Sequence, residues 1–194
     1  DYQWYAFPFQ FCSTPMYIGL LAALVKNERI HQSLCAYLGT YSLFAGLCVM
    51  FYPVSVFVGT VGINIQTMVC HGSMVTIGMY LLHSGYVKAE PATMRKALPV
   101  FLTLLLMAAA MNEMAYRTGL LEGETFNMFF ISPYCAPELP VFSMVQAILP
   151  FPLDLAVYVL AFTTASGLIL MLARFLQKGT RIMIHTLRRA YASC

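Results

Sequence analysis

Five apolar runs, each near the length of a bilayer crossing, constrain this chain more than any other feature. They lie at about 13–25, 33–52, 64–87, 97–116 and 153–173. A hydrocarbon core about 30 Å thick needs roughly 20 apolar residues per spanning helix. Of the 194 residues, 60% are hydrophobic and 10% charged, against about 25% charged in soluble domains. The expected fold is therefore all-α: a polytopic transmembrane helix bundle of five long spans plus short interfacial segments. The chain opens at Asp1 rather than Met, and a helix ahead of it would make six spans. Residues 1–177 form the expected bundle domain, and 178–194 a basic tail.

Punctuation between the runs supports these boundaries. Ser13-Thr14-Pro15 offers a cap followed by Pro in the first turn, a favoured helix opening. The preceding Phe7-Pro8-Phe9-Gln10-Phe11-Cys12 is expected to enter the membrane in irregular form. The second run stops at Pro53. The charge-free segment 54–63 is too short to cross and is expected to lie in the interface or re-enter. The 117–151 connection carries prolines at 133, 137, 140 and 150, with short apolar pieces at 126–131 and 141–149.

The basic residues sort by end. Lys26, Arg29, Lys88, Arg95, Lys96, Arg174, Lys178, Arg181, Arg188 and Arg189 fall on one side of a five-span arrangement, and Arg117 alone on the other. Glu122, Glu124 and Glu138 join Arg117. The positive-inside rule then puts the C-terminus in the cytoplasm and the 117–140 connection outside. Lys178, Arg181, His185 and Arg188 recur at helical spacing, as in an interfacial helix on an anionic leaflet. A formal charge of +3 distributed in this way does not suggest nucleic acid. The expected partners are membrane lipids.

Polar groups at membrane depth are costly and usually face the bundle interior. Asn64, Thr67 and His71 share a face of the third span, and Asn112 and Glu113 lie near the outer end of the fourth. Asp154 opens the last span, Gln10 and Cys12 stand at the mouth of the first, and Asn127 lies in the outer connection. These positions put the site near the outer leaflet. His71 is either a helix-to-helix hydrogen bonder or a base. Asp154 suits the first turn of a helix as an acid favoured by the dipole. Cys12 is a small apolar filler, a disulfide partner of Cys135, or a nucleophile. Its place ahead of a helix N-terminus favours the thiolate, which is the nucleophilic form, and an imidazole could activate it further.

Four motifs in order carry a resemblance. Phe7-Pro8-Phe9-Gln10-Phe11-Cys12 is similar to an "LPL-polar-LC" opening, and Val69-Cys70-His71-Gly72 to an "HG" helix. Asn112, then Asn127-Met128-Phe129-Phe130 before Pro133, resembles paired Asn signals with "NYMYL…P". Leu149-Pro150-Phe151-Pro152 resembles a "GPWP" step before the last helix. Together they resemble the YwaF-like integral membrane family, which includes a eukaryotic membrane acyltransferase acting on ether phospholipids. The resemblance implies a catalytic Cys–His pair at Cys12 and His71 that forms a thioester on a lipid-like substrate, either as an acyltransferase or, with water as acceptor, as a lipid hydrolase. Gln10, Asn112, Glu113 and Asn127 would bind substrate or an oxyanion. No metal or diffusible cofactor is required. The competing expectation is a non-enzymatic small-solute binder or transporter with a polar pocket around His71 and Glu113.

Overall fold

A computed structural model describes residues 4, 7–119, 121, 123–135, 142, 144–145 and 148–192, and the side chains among them except those at 54–55 and 180–192. The described residues are helical with no strands. We label α1 Thr14–Leu24, α2 Glu28–Tyr37, α3 Leu43–Phe51, α4 Val61–His83, α5 Pro91–Thr118 and α6 Phe151–Ala192. A π turn, Leu38–Ser42, joins α2 to α3, so the two form one rod, Glu28–Phe51, of 24 residues. This rod, α4, α5 and the Phe151–Gly179 part of α6 are long and apolar enough to cross a membrane.

The first expected span comes out shorter. α1 has 11 residues, about 16 Å at roughly 1.5 Å per residue, half of a hydrocarbon core. Its start is fixed chemically. Pro15 lies in its first turn, where a missing N–H costs nothing. Ser13 has αR backbone angles and makes no side-chain cap bond; Thr14 Oγ1 instead donates to the Phe11 carbonyl at 3.0 Å. Irregular chain ahead of α1 fills the rest of that column. α2, in contrast, begins earlier than its apolar run. The Asn27 side chain accepts from the Arg29 and Ile30 amides at 3.0 and 3.2 Å, so the polar residues 28–32 form the opening turns of the helix.

The α2–α3 rod is the centre of the bundle. Its apolar window is 67% buried, against 22% for α4 and 17% for α6. Tyr37 and Tyr41 are fully buried in it, and their rings stack at 5.9 Å. Tyr41 stacks on Phe101 of α5 at 4.4 Å, and its hydroxyl pairs with Thr163 of α6 at 2.9 Å. α4 leans on α3 through small residues, the usual device for close helix approach in lipid. A Cβ on Gly78 would meet Leu43 Cβ at 2.7 Å, and one on Gly46 would meet the His71 carbonyl oxygen at 3.0 Å.

Cross-ties gather the basic loops at one end. Lys96 Nζ donates to Gln32 Oε1 at 2.6 Å, His31 bonds both the Ala22 carbonyl and Tyr86, and Gln177 Nε2 donates to the Leu82 carbonyl at 2.7 Å. Lys26, Arg29, Lys88, Arg95, Lys96, Arg174 and Lys178 flank these ties in the chain, and Arg117 lies near the other end of α5. Glu122 and Glu138, and the side chains of Arg181, His185, Arg188 and Arg189, lie outside the described residues. At the second end, the Trp4 amide donates to Glu124 at 3.0 Å, and Asn64 closes its own turn through the Val58 amide and carbonyl at 2.9 and 2.8 Å. α6 continues unbroken through the basic tail to Ala192.

Candidate functional site

The N-terminal segment reaches well into the bundle. The Phe11 ring packs on Phe101 at 5.9 Å and on Phe162 at 5.2 Å. Phe162 stands 11 residues into α6, about 16 Å along it. Cys12 follows Phe11 directly, two residues ahead of α1. It is half-buried and free, as is Cys135, so the bridge between them does not form. Cys135 lies against the Phe126 carbonyl at 3.5 Å instead.

His71 lies ten residues into α4, about 15 Å from its start, near the middle of that helix. The ring is buried. Its Nδ1 is 2.7 Å from the Thr67 carbonyl oxygen. A carbonyl can only accept, so Nδ1 carries the proton and Nε2 holds the lone pair. Nε2 is buried and has no protein partner among the described residues. No Cys12–His71 hydrogen bond forms among the described residues. Nε2 belongs to a set of buried polar atoms without partners that also includes Ser42 Oγ, Asp154 Oδ1, Tyr158 OH and Ser166 Oγ.

Three of the other expected site residues are drawn together, around a turn. Gln10 Nε2 donates to the Asn127 carbonyl at 3.0 Å, and Gln10 Oε1 accepts from the Phe129 amide at 3.1 Å. Asn112 Nδ2 donates to the Met128 carbonyl at 3.0 Å, and its Oδ1 accepts from the Met128 amide at 2.8 Å. Asn127 Oδ1 accepts from the Ser132 amide at 2.9 Å. These amides satisfy the backbone of a short 3-10 turn, Met128–Phe130, that lacks regular helical bonding. They also hold Phe129 and Phe130 at φ of 60° and 58°. Left-handed backbone costs an ordinary residue about 1–2 kcal/mol and persists only where surroundings over-determine it. Phe129 is fully buried, with its ring against Phe9 at 6.1 Å and Phe11 at 5.4 Å. The knot thus fixes the segment that ends in Cys12.

Glu113 does not join this group. It turns outward, bonds Arg117 one helical turn on, and accepts from the Tyr134 hydroxyl at 2.6 Å. That carboxylate holds the Tyr134 phenol above its ordinary range, because donation to it favours the protonated form.

An apolar groove of about 180 Å³ runs beside the knot, between Trp4 and Phe7 on one wall and Met111, Ala115 and Phe126 on the other. Residues that sequence reasoning passed over include Tyr37, Tyr41 and Tyr158. The legible signal for them was polar-tipped rings spaced i, i+4 inside an apolar run. The Asp154–Tyr158 pair has that spacing, and both are buried.

Comparison with protein-family models matches residues 1–173 to the TMEM164 family. The chain belongs to the TMEM164 family. The match takes in α1 to α5, α6 as far as Ala173, and all the residues of the candidate site. No curated protein and no solved structure matches this TMEM164-family chain.

Proposed function

We propose that the chain transfers an acyl group from a lipid ester through a thioester on Cys12, with His71 as the base. The observation that carries this reading is the state of the His71 ring. Its Nδ1 is committed to Thr67, and its lone-pair Nε2 is buried without a protein partner. A neutral imidazole fixed in that tautomer is poised to accept a proton. Cys12 directly follows Phe11, whose ring packs inside the bundle on Phe101 and Phe162. The four-motif resemblance to the YwaF-like family, with its ether-phospholipid acyltransferase, supports the same pair.

The chemistry has two half-reactions. The Cys12 thiol proton passes to His71 Nε2 as sulfur bonds the ester carbonyl carbon. Collapse of the tetrahedral adduct breaks the C–O bond, and the imidazolium returns its proton to the departing alkoxide. An acceptor hydroxyl, or water, then loses its proton to Nε2 and attacks the thioester, and Cys12 leaves as the thiol. Gln10, Asn112 and Asn127 act as positioning residues, since their amides already hold the Met128–Phe130 turn against the Cys12 segment. The groove beside Trp4 and Met111 suits an acyl chain. Glu113 is bonded at the surface by Arg117 and Tyr134, and this removes one of the two ligands that a binder pocket around His71 would need.

The test is intact-protein mass spectrometry after incubation with phospholipid vesicles. The expected result is one added acyl mass on Cys12, removed by neutral hydroxylamine. Acyl transfer without any adduct on Cys12 would end the proposal. The same reading puts the basic end in the cytoplasm. In single-cysteine variants, an impermeant reagent added outside should label position 123 and not position 92; the reverse pattern would invert the topology.

A further inference from the structure

A second cleft lies at the opposite, basic end of the bundle. Its volume is about 400 Å³. The α4–α5 turn supplies Lys88 and Glu90, and α6 supplies Arg174, Gln177 and Lys178. Three cations and one carboxylate leave it with a net charge of +2. Among the described residues, none of the three cations is within ion-pair distance of a carboxylate. Arg174 and Lys178 stand four residues apart on one face of α6, where like charges repel.

The cleft is built rather than incidental. Gln177, between the two α6 cations, ties that helix to α4 by donating to the Leu82 carbonyl at 2.7 Å. Gly85 turns the chain with φ of 77°, and this brings Lys88 round to face α6. Val87 is buried beneath, against Gly39, so the floor is apolar.

We propose that this cleft binds the phosphate of an anionic membrane lipid. A phosphate neutralises the Arg174–Lys178 repulsion and accepts from Lys88 in the same stroke. The apolar floor at Val87 receives the glycerol. The site is separate from Cys12 and His71 and does not depend on their chemistry.

The full chain in detergent is titrated with phosphatidic acid, phosphatidylcholine or inorganic phosphate, and bound lipid is read by native mass spectrometry with thermal shift in parallel. Phosphatidic acid should bind about tenfold more tightly than phosphatidylcholine. R174Q/K178Q should erase that preference, and Lys88→Gln on the exposed turn should lose part of it. Glu90→Gln should strengthen it. K26Q/R29Q, which changes the charge of the same end outside the cleft, should leave it intact. Equal binding of the two lipids would overturn the proposal, as would equal losses in K26Q/R29Q and R174Q/K178Q. Inorganic phosphate that stabilises as much as phosphatidic acid would overturn the lipid as source.

Discussion

Asn112 and Glu113 are adjacent in the chain, yet they belong to two different regions of the molecule. Asn112 faces inward, is almost wholly buried, and exchanges two hydrogen bonds with Met128. Glu113, about 100° further round the helix, meets solvent and joins Arg117 and Tyr134. The inner region is a knot of neutral amides that holds strained backbone. The outer one is an ion pair and a stacked tyrosine pair, Tyr116 on Tyr134 at 3.6 Å. In water the charged cluster looks the stronger of the two, but exposed ion pairs are worth little. A buried amide that serves two backbone groups, one of them the Met128 N–H with no other bond, is worth much more.

The sharpest way to break this comparison is Asn112→Ala. It strands the buried Met128 N–H and leaves the Met128 C=O only the Ile131 N–H at 3.4 Å, and thermal unfolding in detergent should show a loss of about 1–3 kcal/mol. A variant as stable as the parent would mean that the turn finds other partners and that the knot is not what holds it.

Gln10→Ala should cost less, about 1 kcal/mol, because its bonds to Asn127 and Phe129 are only part-buried. Its larger effect should be local. Freed from the turn, the N-terminal segment exposes Cys12, and alkylation of Cys12 should speed up several-fold while that of Cys48 stays constant. Unchanged Cys12 alkylation would separate the knot from the site.

Glu113→Gln should have the smallest effect on folding, with no measurable change in the unfolding midpoint at high salt. It should still move one observable. Without the carboxylate, the Tyr134 phenol should titrate lower, back toward its ordinary range, since the interaction that favoured its protonated form is gone. Tyrosine ring NMR, assigned with Tyr134→Phe, reads this directly. A Tyr134 titration indifferent to Glu113 would remove the outer cluster from the account.

The sequence revealed the helices more fully than the site, for physical reasons. Hydrophobic length and the Lys/Arg sorting are properties of whole runs, so α4 and α5 emerged with small boundary errors. The first helix, expected over about 13–25, also emerged, with Pro15 in its first turn; at 11 residues it is a short apolar helix rather than a long span. At the site, His71, Asn112 and Cys12 are individually unusual at membrane depth, and that much was readable. Their partners were not. Asn112 meets a backbone 16 residues away, and Gln10 one 119 residues away; only the folded chain brings such groups together. Cys70 adjoins His71 in α4, where successive side chains point about 100° apart.

Cys70 also sets the design of the measurement that tests the central claim most directly, which is the rate of acyl capture from phospholipid vesicles by the parent chain and by Cys12→Ala, His71→Ala and Cys70→Ala. The account predicts no capture by Cys12→Ala, and a steep loss in His71→Ala that recovers in part at high pH, where a thiol ionises without a base. It predicts near-parental capture by Cys70→Ala. Full acyl transfer by Cys12→Ala, with the thioester absent or carried on Cys70, would contradict it.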